Sequence, residues 1–290
     1  MVDCLNKPRR FHSSGTPKGR EFATVCRLAA KAIQSYNMIA AGDRILVGVS
    51  GGKDSLTLMH VLQHLQRRSP VKFELVAATF DAGFPGLDVP RLSAYCQAQG
   101  WEHRVIACPV ERLVQERDLE DQPCSFCARL RRGHLYRLGE ELGCGKLALG
   151  QHLDDLCASL LLSLFRGGGI RTMGPNVPAD SGKMRVIRPL CLVTEASTRQ
   201  MAVLAEYPDF GRCGYEDQVD AEGDRAFLEN LIDGLGDRFG NIRKHLLHSM
   251  SDLRPGHLLD PRYLPPEAGG MNVGWSELLE DEEESDSAIP

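Results

Sequence analysis

Apolar and polar positions along the chain follow two periods that take turns. Over residues 20–41, Val25, Leu28, Ala29, Ala32 and Ile33 fall on one side of a helical repeat, which predicts an amphipathic helix, and Ala41-Gly42-Asp43 then turns the chain. Residues 44–49 (RILVGV) form a short, nearly continuous apolar run rich in β-branched side chains, as in a strand buried on both faces of a parallel sheet. The alternation continues with helices over 56–67, 89–99, 128–142, 153–165 and 194–205, and strands over 73–80, 103–107, 146–150 and 184–189. Strands separated by single helices predict βαβ units and an α/β fold with a doubly wound parallel sheet. Residues 220–257 read as a further, C-terminal helical segment, and no internal repeat is visible.

Composition adds boundaries to this picture. With 290 residues, 42% hydrophobic and 25% charged, the chain has the balance of a soluble globular protein, and one catalytic domain with appendages is the natural expectation. No apolar run reaches the roughly 18 to 20 residues of a membrane span, and the polar, basic first 20 residues lack a signal peptide's apolar stretch. A cytoplasmic protein without membrane attachment is expected, with a loose N-terminal segment at 1–19. Ten cysteines in such a compartment argue against a disulfide framework and for metal ligands, catalytic thiols or core residues. The formal charge is −5, but residues 276–290 hold seven carboxylates and no Lys or Arg, so the rest of the chain carries +2. RNA binding therefore stays open to the folded body, and 261–290 reads as a disordered acidic tail.

Ser50-Gly51-Gly52-Lys53-Asp54-Ser55 joins the strand at 44–49 to the next helix. Two adjacent glycines let backbone pass close to an anion, the helix adds its positive N-terminal end, and Lys53 supplies a point charge. This suits pyrophosphate and lacks the spacing of a Walker loop. The motif resembles the signature of PP-loop ATPases, which cleave ATP between its α and β phosphates. That resemblance implies hydroxyls of Ser50 and Ser55 on phosphate oxygens and Asp54 helping to hold Mg²⁺. A second contact, on the adenine side, is expected from topology at Thr79-Phe80-Asp81, the end of the next strand.

Cys124 and Cys127 form a C-x-x-C pair ahead of Arg129, Arg131 and Arg132. Alone the pair is ambiguous: half of a zinc site, a redox dithiol, a cluster ligand set, or two unrelated thiols. Cys213 is a further loop thiol. Taken with SGGKDS, the runs PCSFCARLRRGHLYR, GQHLDD, FRGGGIRTMGPNVP and VIRPL are similar to stretches of the bacterial tRNA 2-thiocytidine biosynthesis family, over roughly residues 20–260. The resemblance implies an adenine nucleotide α-hydrolase-like PP-loop domain with a cluster loop over 20–219 and a helical segment over 220–260. It also implies a tRNA substrate, a [4Fe–4S] cluster on Cys124, Cys127 and Cys213, and ATP with Mg²⁺ to activate C2 of cytidine 32 for sulfur. A sulfur donor such as a cysteine desulfurase would be a partner, and a homodimer is compatible with the family.

Gly150-Gln151-His152-Leu153-Asp154-Asp155 is expected at the same sheet edge as the phosphate loop. Paired aspartates opening a helix can serve as caps, but beside His152 they favour function: Asp155, with Asp154, on Mg²⁺ or a proton, and His152 orienting the base. Arg131, Arg129 and Arg132 read either as a solvated helix face or as contacts to tRNA phosphate and the cluster, with Arg166, Arg171 and Lys183 extending the patch. The other seven cysteines show no ligand spacing and read mostly as small core residues. Two positions depart from the family: Phe210 stands where a second cysteine is usual, and Ala158 where an acidic or amide residue is. The competing functions are thiolation of another base or of a small molecule, and a cluster-bearing, ATP-binding redox sensor.

Overall fold

The computed structural model describes residues 19–117, 123–180, 182–213 and 223–263. Residues 1–18 of the N-terminal segment and 264–290 of the acidic tail lie outside them. Helix α1 (Arg20–Ser35) leads into β1 (Arg44–Gly48), α2 (Lys53–Arg68), β2 (Glu74–Asp81), α3 (Val89–Ala98), β3 (His103–Ala107), α4 (Val110–Glu116) and α5 (Pro123–Glu141). Then follow β4 (Lys146–Ala148), α6 (Leu153–Phe165), β5 (Asn176–Pro178), β6 (Arg185–Ile187), α7 (Glu195–Leu204), α8 (Asp224–Phe239) and α9 (Ile242–Ser251).

The six strands lie in the order β3-β2-β1-β4-β6-β5, all neighbours parallel except β5, which runs antiparallel to β6 at the edge. The apolar runs behave as expected of central strands: Ile45, Leu46 and Val47 in β1 and Val76, Ala77 and Ala78 in β2 are buried. Chain order steps outward from β1 through β2 to β3 on one side and returns through β4 and β6 on the other. The reversal falls between β1 and β4, where doubly wound sheets open a crevice at the carboxyl ends of the strands.

Several boundaries differ from the sequence expectation. Seven-residue α4 and three-residue β5 are too short to show a period. Helix α5 begins at Pro123, so Cys124 and Cys127 sit in its first turns and not in a loop before it. Proline suits that first position, where its missing N–H has no intrahelical partner to lose. The C-terminal helical stretch breaks at Gly240 (φ +71°), a backbone conformation natural to glycine. The chain divides into two compact units, 1–247 and 248–290. The first contains the sheet and the site, while the described part of the second holds the end of α9 and short 3₁₀ turns at Pro255–His257 and Pro261–Tyr263.

Candidate active site

The phosphate loop is closed by its own serines. Ser50 N–H donates to Ser55 Oγ (3.1 Å), Ser55 Oγ donates to the Gly52 carbonyl (2.9 Å), and the two hydroxyls lie 3.3 Å apart. Gly51 has φ +85°, and a Cβ there would stand 3.3 Å from Phe210 Cβ and 3.4 Å from Leu87 and Leu92, so backbone conformation and close packing both select glycine. Gly52, just before α2, offers no side chain to the helix's first-turn N–H groups, which suits an anion.

The β4–α6 segment packs directly on this loop. A Cβ on Gly150 would fall 3.0 Å from the carbonyl carbon of Asp54 and the nitrogen of Ser55, so only glycine lets the two backbones meet. His152, buried, brings Nε2 to 3.8 Å from Asp54 Oδ1 and Nδ1 to 3.4 Å from Asp155 Oδ2. Asp155 Oδ2 also accepts the His152 N–H at 2.8 Å, a cap at the start of α6. Two arginines then reach in: Arg225 of α8 pairs with Asp155, and Arg243 of α9 pairs with Asp154. The side chains of Asp154 and Asp155 are 7% exposed, that of Asp54 28%. Asp54 is therefore the carboxylate of the three that faces the open side of the loop.

A third strip, on the helix predicted over 194–205, completes the charged centre. At the start of α7, the Glu195 N–H donates to Asp154 Oδ2 (2.8 Å), Glu195 Oε1 lies 2.9 Å from Lys53 Nζ, and Thr198 Oγ1 donates to Asp54 Oδ1 (2.5 Å). Lys53 also pairs with Asp54 at 2.9 Å. Burial works to lower the Lys53 pKa, but Asp54 and Glu195 outweigh it and hold the ammonium above its ordinary value. Burial works to raise that of Glu195, yet Lys53 and Arg199 bring it down to about 2. The helix α7 follows β6 and so starts at the active edge; that placement was the available signal for Glu195 and Thr198. Arg225 and Arg243, from helices remote in sequence, carried none.

At the end of β2, Thr79 is buried and donates to the Val49 carbonyl (2.7 Å), tying this strand to the phosphate loop. Asp81 Oδ1 accepts from Gly83 N–H (3.0 Å), and half-buried Phe80 tilts against His134 of α5, ring centroids 5.7 Å apart. Phe80 thus packs on the cysteine helix, in one apolar cluster with Phe84, Phe126, Cys108, Cys127 and Cys213. Burial pushes the Cys127 thiol up; nearby Arg131 opposes this, while Cys213, Cys124 and Cys108 add to it. The three thiols singled out in the sequence therefore share a neighbourhood, and Cys108, read as a core residue, joins them. Among the described residues no group of three or more His, Cys, Asp or Glu is drawn together tightly enough to hold a metal ion. The donor set nonetheless fits a soft, thiolate-seeking cofactor: half-buried thiols from two segments, an apolar lining and an arginine beside them.

Two glycines bring Cys213 here. Gly86 (φ +119°) and Gly211 (φ +74°) lie back to back: a Cβ on Gly86 would stand 1.9 Å from the Arg212 carbonyl oxygen, and one on Gly211 1.9 Å from that of Gly86. Asp88 N–H donates to the Phe210 carbonyl (2.8 Å) and Arg91 to that of Asp209 (2.9 Å). Arg129, Arg131 and Arg132 are exposed on α5, Arg129 lying over the Phe126 ring at 5.5 Å. Lys183 pairs with Glu140 at the other end of that helix, and Arg166 pairs with Asp224, so Lys183 does not extend the arginine stretch.

The family model described as PP-loop domain matches residues 25–208. A tRNA-cytidine(32) 2-sulfurtransferase of Syntrophotalea carbinolica is 39% identical over 242 residues, 83% of this chain and 93% of its own. The protein of the same name from Geobacter sulfurreducens is 39% identical over 231 residues, 79% of this chain and 90% of its own. The chain belongs to the tRNA-cytidine(32) 2-sulfurtransferase family. These are PP-loop enzymes. A solved U34-tRNA thiolase, NcsA from Methanococcus maripaludis with its [4Fe–4S] cluster, shares the fold, with TM-score 0.62 and 19% identity over 80% of this chain and 78% of that one.

Within a 2-sulfurtransferase scaffold one of the two departures, Phe210, has a structural explanation. Phe210 is 2% exposed, stacks edge-on with Tyr95 (centroids 5.5 Å) and supports Gly51 from below, so it fills core volume behind the phosphate loop. Ala158 is buried in α6, one helical turn beyond the aspartates. Cys157 and Cys191 are also buried, and burial pushes both thiols up to about 12. No helix among the described residues is long and apolar enough to cross a membrane.

Proposed function

We propose that this protein is an ATP-dependent tRNA sulfurtransferase that adenylates the C2 oxygen of cytidine 32 and replaces that oxygen with sulfur. One observation carries the reading: the segment from Phe210 to Cys213 begins against Gly51 of the phosphate loop and ends in the thiol neighbourhood of Cys127. Three residues of extended chain span about 10 Å, so a base activated at the loop lies within reach of sulfur held at the thiols.

Cytosine C2 is a poor electrophile because its oxygen leaves poorly, and an adenylated oxygen leaves well. In this reading the Gly51–Gly52 backbone, Ser50, Ser55 and Lys53 bind the pyrophosphate portion of ATP, and Asp54, the open carboxylate, holds Mg²⁺. Phe80 and Asp81 line the adenine side. His152, fixed between Asp54 and Asp155, orients the base, while Asp155 and Asp154 lock the loop through Arg225 and Arg243. Arg131 stands where tRNA phosphate and the thiols meet. Cys124, Cys127 and Cys213 would hold a [4Fe–4S] cluster, which supplies an iron site for sulfur delivered by a donor such as a cysteine desulfurase.

The test separates the two halves. Lys53→Ala and Asp54→Ala should abolish ATP binding and pyrophosphate formation at full iron content. Cys124→Ala, Cys127→Ala or Cys213→Ala should lose most of the iron from anaerobically prepared protein and keep ATP binding. Undiminished pyrophosphate formation in the loop variants, or zinc alone at one atom per chain, would remove the corresponding half of the reading.

A further inference from the structure

The loop lysine is shared. The Lys53 ammonium lies 2.9 Å from both Asp54 Oδ2 and Glu195 Oε1, and Glu195 is also held by Arg199 at 3.0 Å, one helical turn along α7. The backbone fixes the carboxylate's place: Thr194 caps α7 by accepting from Ser197 N–H, the Glu195 N–H is bound by buried Asp154, and Thr198 grips Asp54. One turn of helix thus touches the phosphate loop through Lys53 and Asp54, and the β4–α6 segment through Asp154. A polyphosphate in the loop needs Lys53, the same cation that Glu195 binds.

Resting on the phosphate-loop reading above, we propose that Glu195 is a positioning residue that acts as a counter-ion latch on Lys53, competing with phosphate for its ammonium. The negative charge of the ATP phosphates draws Lys53 across. Pyrophosphate, once formed, leaves more readily because Glu195 takes the lysine back. The latch trades affinity for turnover: it weakens binding of ATP and product alike and speeds product departure. Arg199 sets the balance from the far side by holding part of the Glu195 charge.

Pyrophosphate and ATP binding to the full-length protein, measured by calorimetry, and steady-state thiolation of tRNA test this on Glu195→Gln, Glu195→Asp and Lys53→Ala. In Glu195→Gln pyrophosphate should bind roughly five-fold tighter, the scale of a partly exposed ion pair, with kcat reduced, KM for ATP lowered and KM for tRNA unchanged. Glu195→Asp, which keeps the charge one methylene back, should return both values most of the way to wild type. A brace with no electrostatic role would move neither binding constant in this direction. Pyrophosphate binding unchanged or weaker in Glu195→Gln, while Lys53→Ala loses ATP, overturns the latch and leaves the loop assignment standing. ATP binding retained by Lys53→Ala overturns the loop assignment itself, and the latch with it.

Discussion

On the phosphate side, Lys53, Asp54, Asp154 and Asp155 each meet an opposite charge, and five chain segments converge on them. On the thiol side, Cys127 and Cys213 share an apolar cluster with Phe84 and Phe126, and Cys124 lies close enough to Cys127 to act on its thiol, without a closed ligand set among the described residues. The first region is assembled by the protein's own ion pairs. Thiols cannot do the same: neutral, they attract each other weakly, and as thiolates they repel. A site of this kind gains its order from the metal it binds. The nucleotide half should therefore withstand loss of the cofactor, whereas the proposed sulfur half depends on backbone geometry to keep Cys213 in range.

The largest effect should therefore come from that geometry. Gly211→Ala puts a methyl group 1.9 Å from the Gly86 carbonyl oxygen at a φ of +74°, so the 209–213 segment must move and take Cys213 with it. We expect this variant, purified anaerobically, to lose most of its iron while binding ATP within a few-fold of wild type. Iron at wild-type level would show that Cys213 is not a ligand.

A smaller effect should follow from Phe210→Cys, which installs the cysteine that the family resemblance leads one to expect there. Because Phe210 packs against Tyr95 and the back of Gly51, truncation leaves a cavity costing about 3 kcal/mol, and urea denaturation should report it. Thiolation should not rise, since the new thiol faces the core. A gain in turnover would mean that sulfur passes through this position.

The smallest concerns His60, buried on α2 with Nε2 2.9 Å from the Tyr95 hydroxyl and its ring stacked on Tyr207. Burial lowers its pKa from 6.5 to about 3. The unfolded chain binds this proton below pH 6.5 and the folded protein only near pH 3, so the folded state loses stability steadily as pH falls across that window. His60→Gln should be less stable at pH 7.5 but show a shallower fall in melting temperature between pH 6.5 and 5. An unchanged slope would mean that His60 does not control the acid sensitivity.

The phosphate side was the more legible of the two in sequence because its chemistry is local. SGGKDS and GQHLDD are contiguous, and the strand–loop–helix period around each places both at one sheet edge. The partners that neutralise them, Glu195, Arg225 and Arg243, are single residues on helices whose approach depends on tertiary packing. On the thiol side, the C-x-x-C spacing was visible, but α5 taking in both cysteines, Cys108 joining them and the Gly86–Gly211 contact were not. An isolated glycine carries no mark of what it lies against.

If the two halves act jointly, single-turnover thiolation of a cytidine-32 tRNA by iron-reconstituted protein, supplied with ATP and sulfide, will couple their products. Pyrophosphate, AMP and 2-thiocytidine should be counted in one reaction. One of each should form per turnover, with pyrophosphate release depending on tRNA. Formation of ADP and phosphate, or thiolation that proceeds without ATP, would contradict joint action.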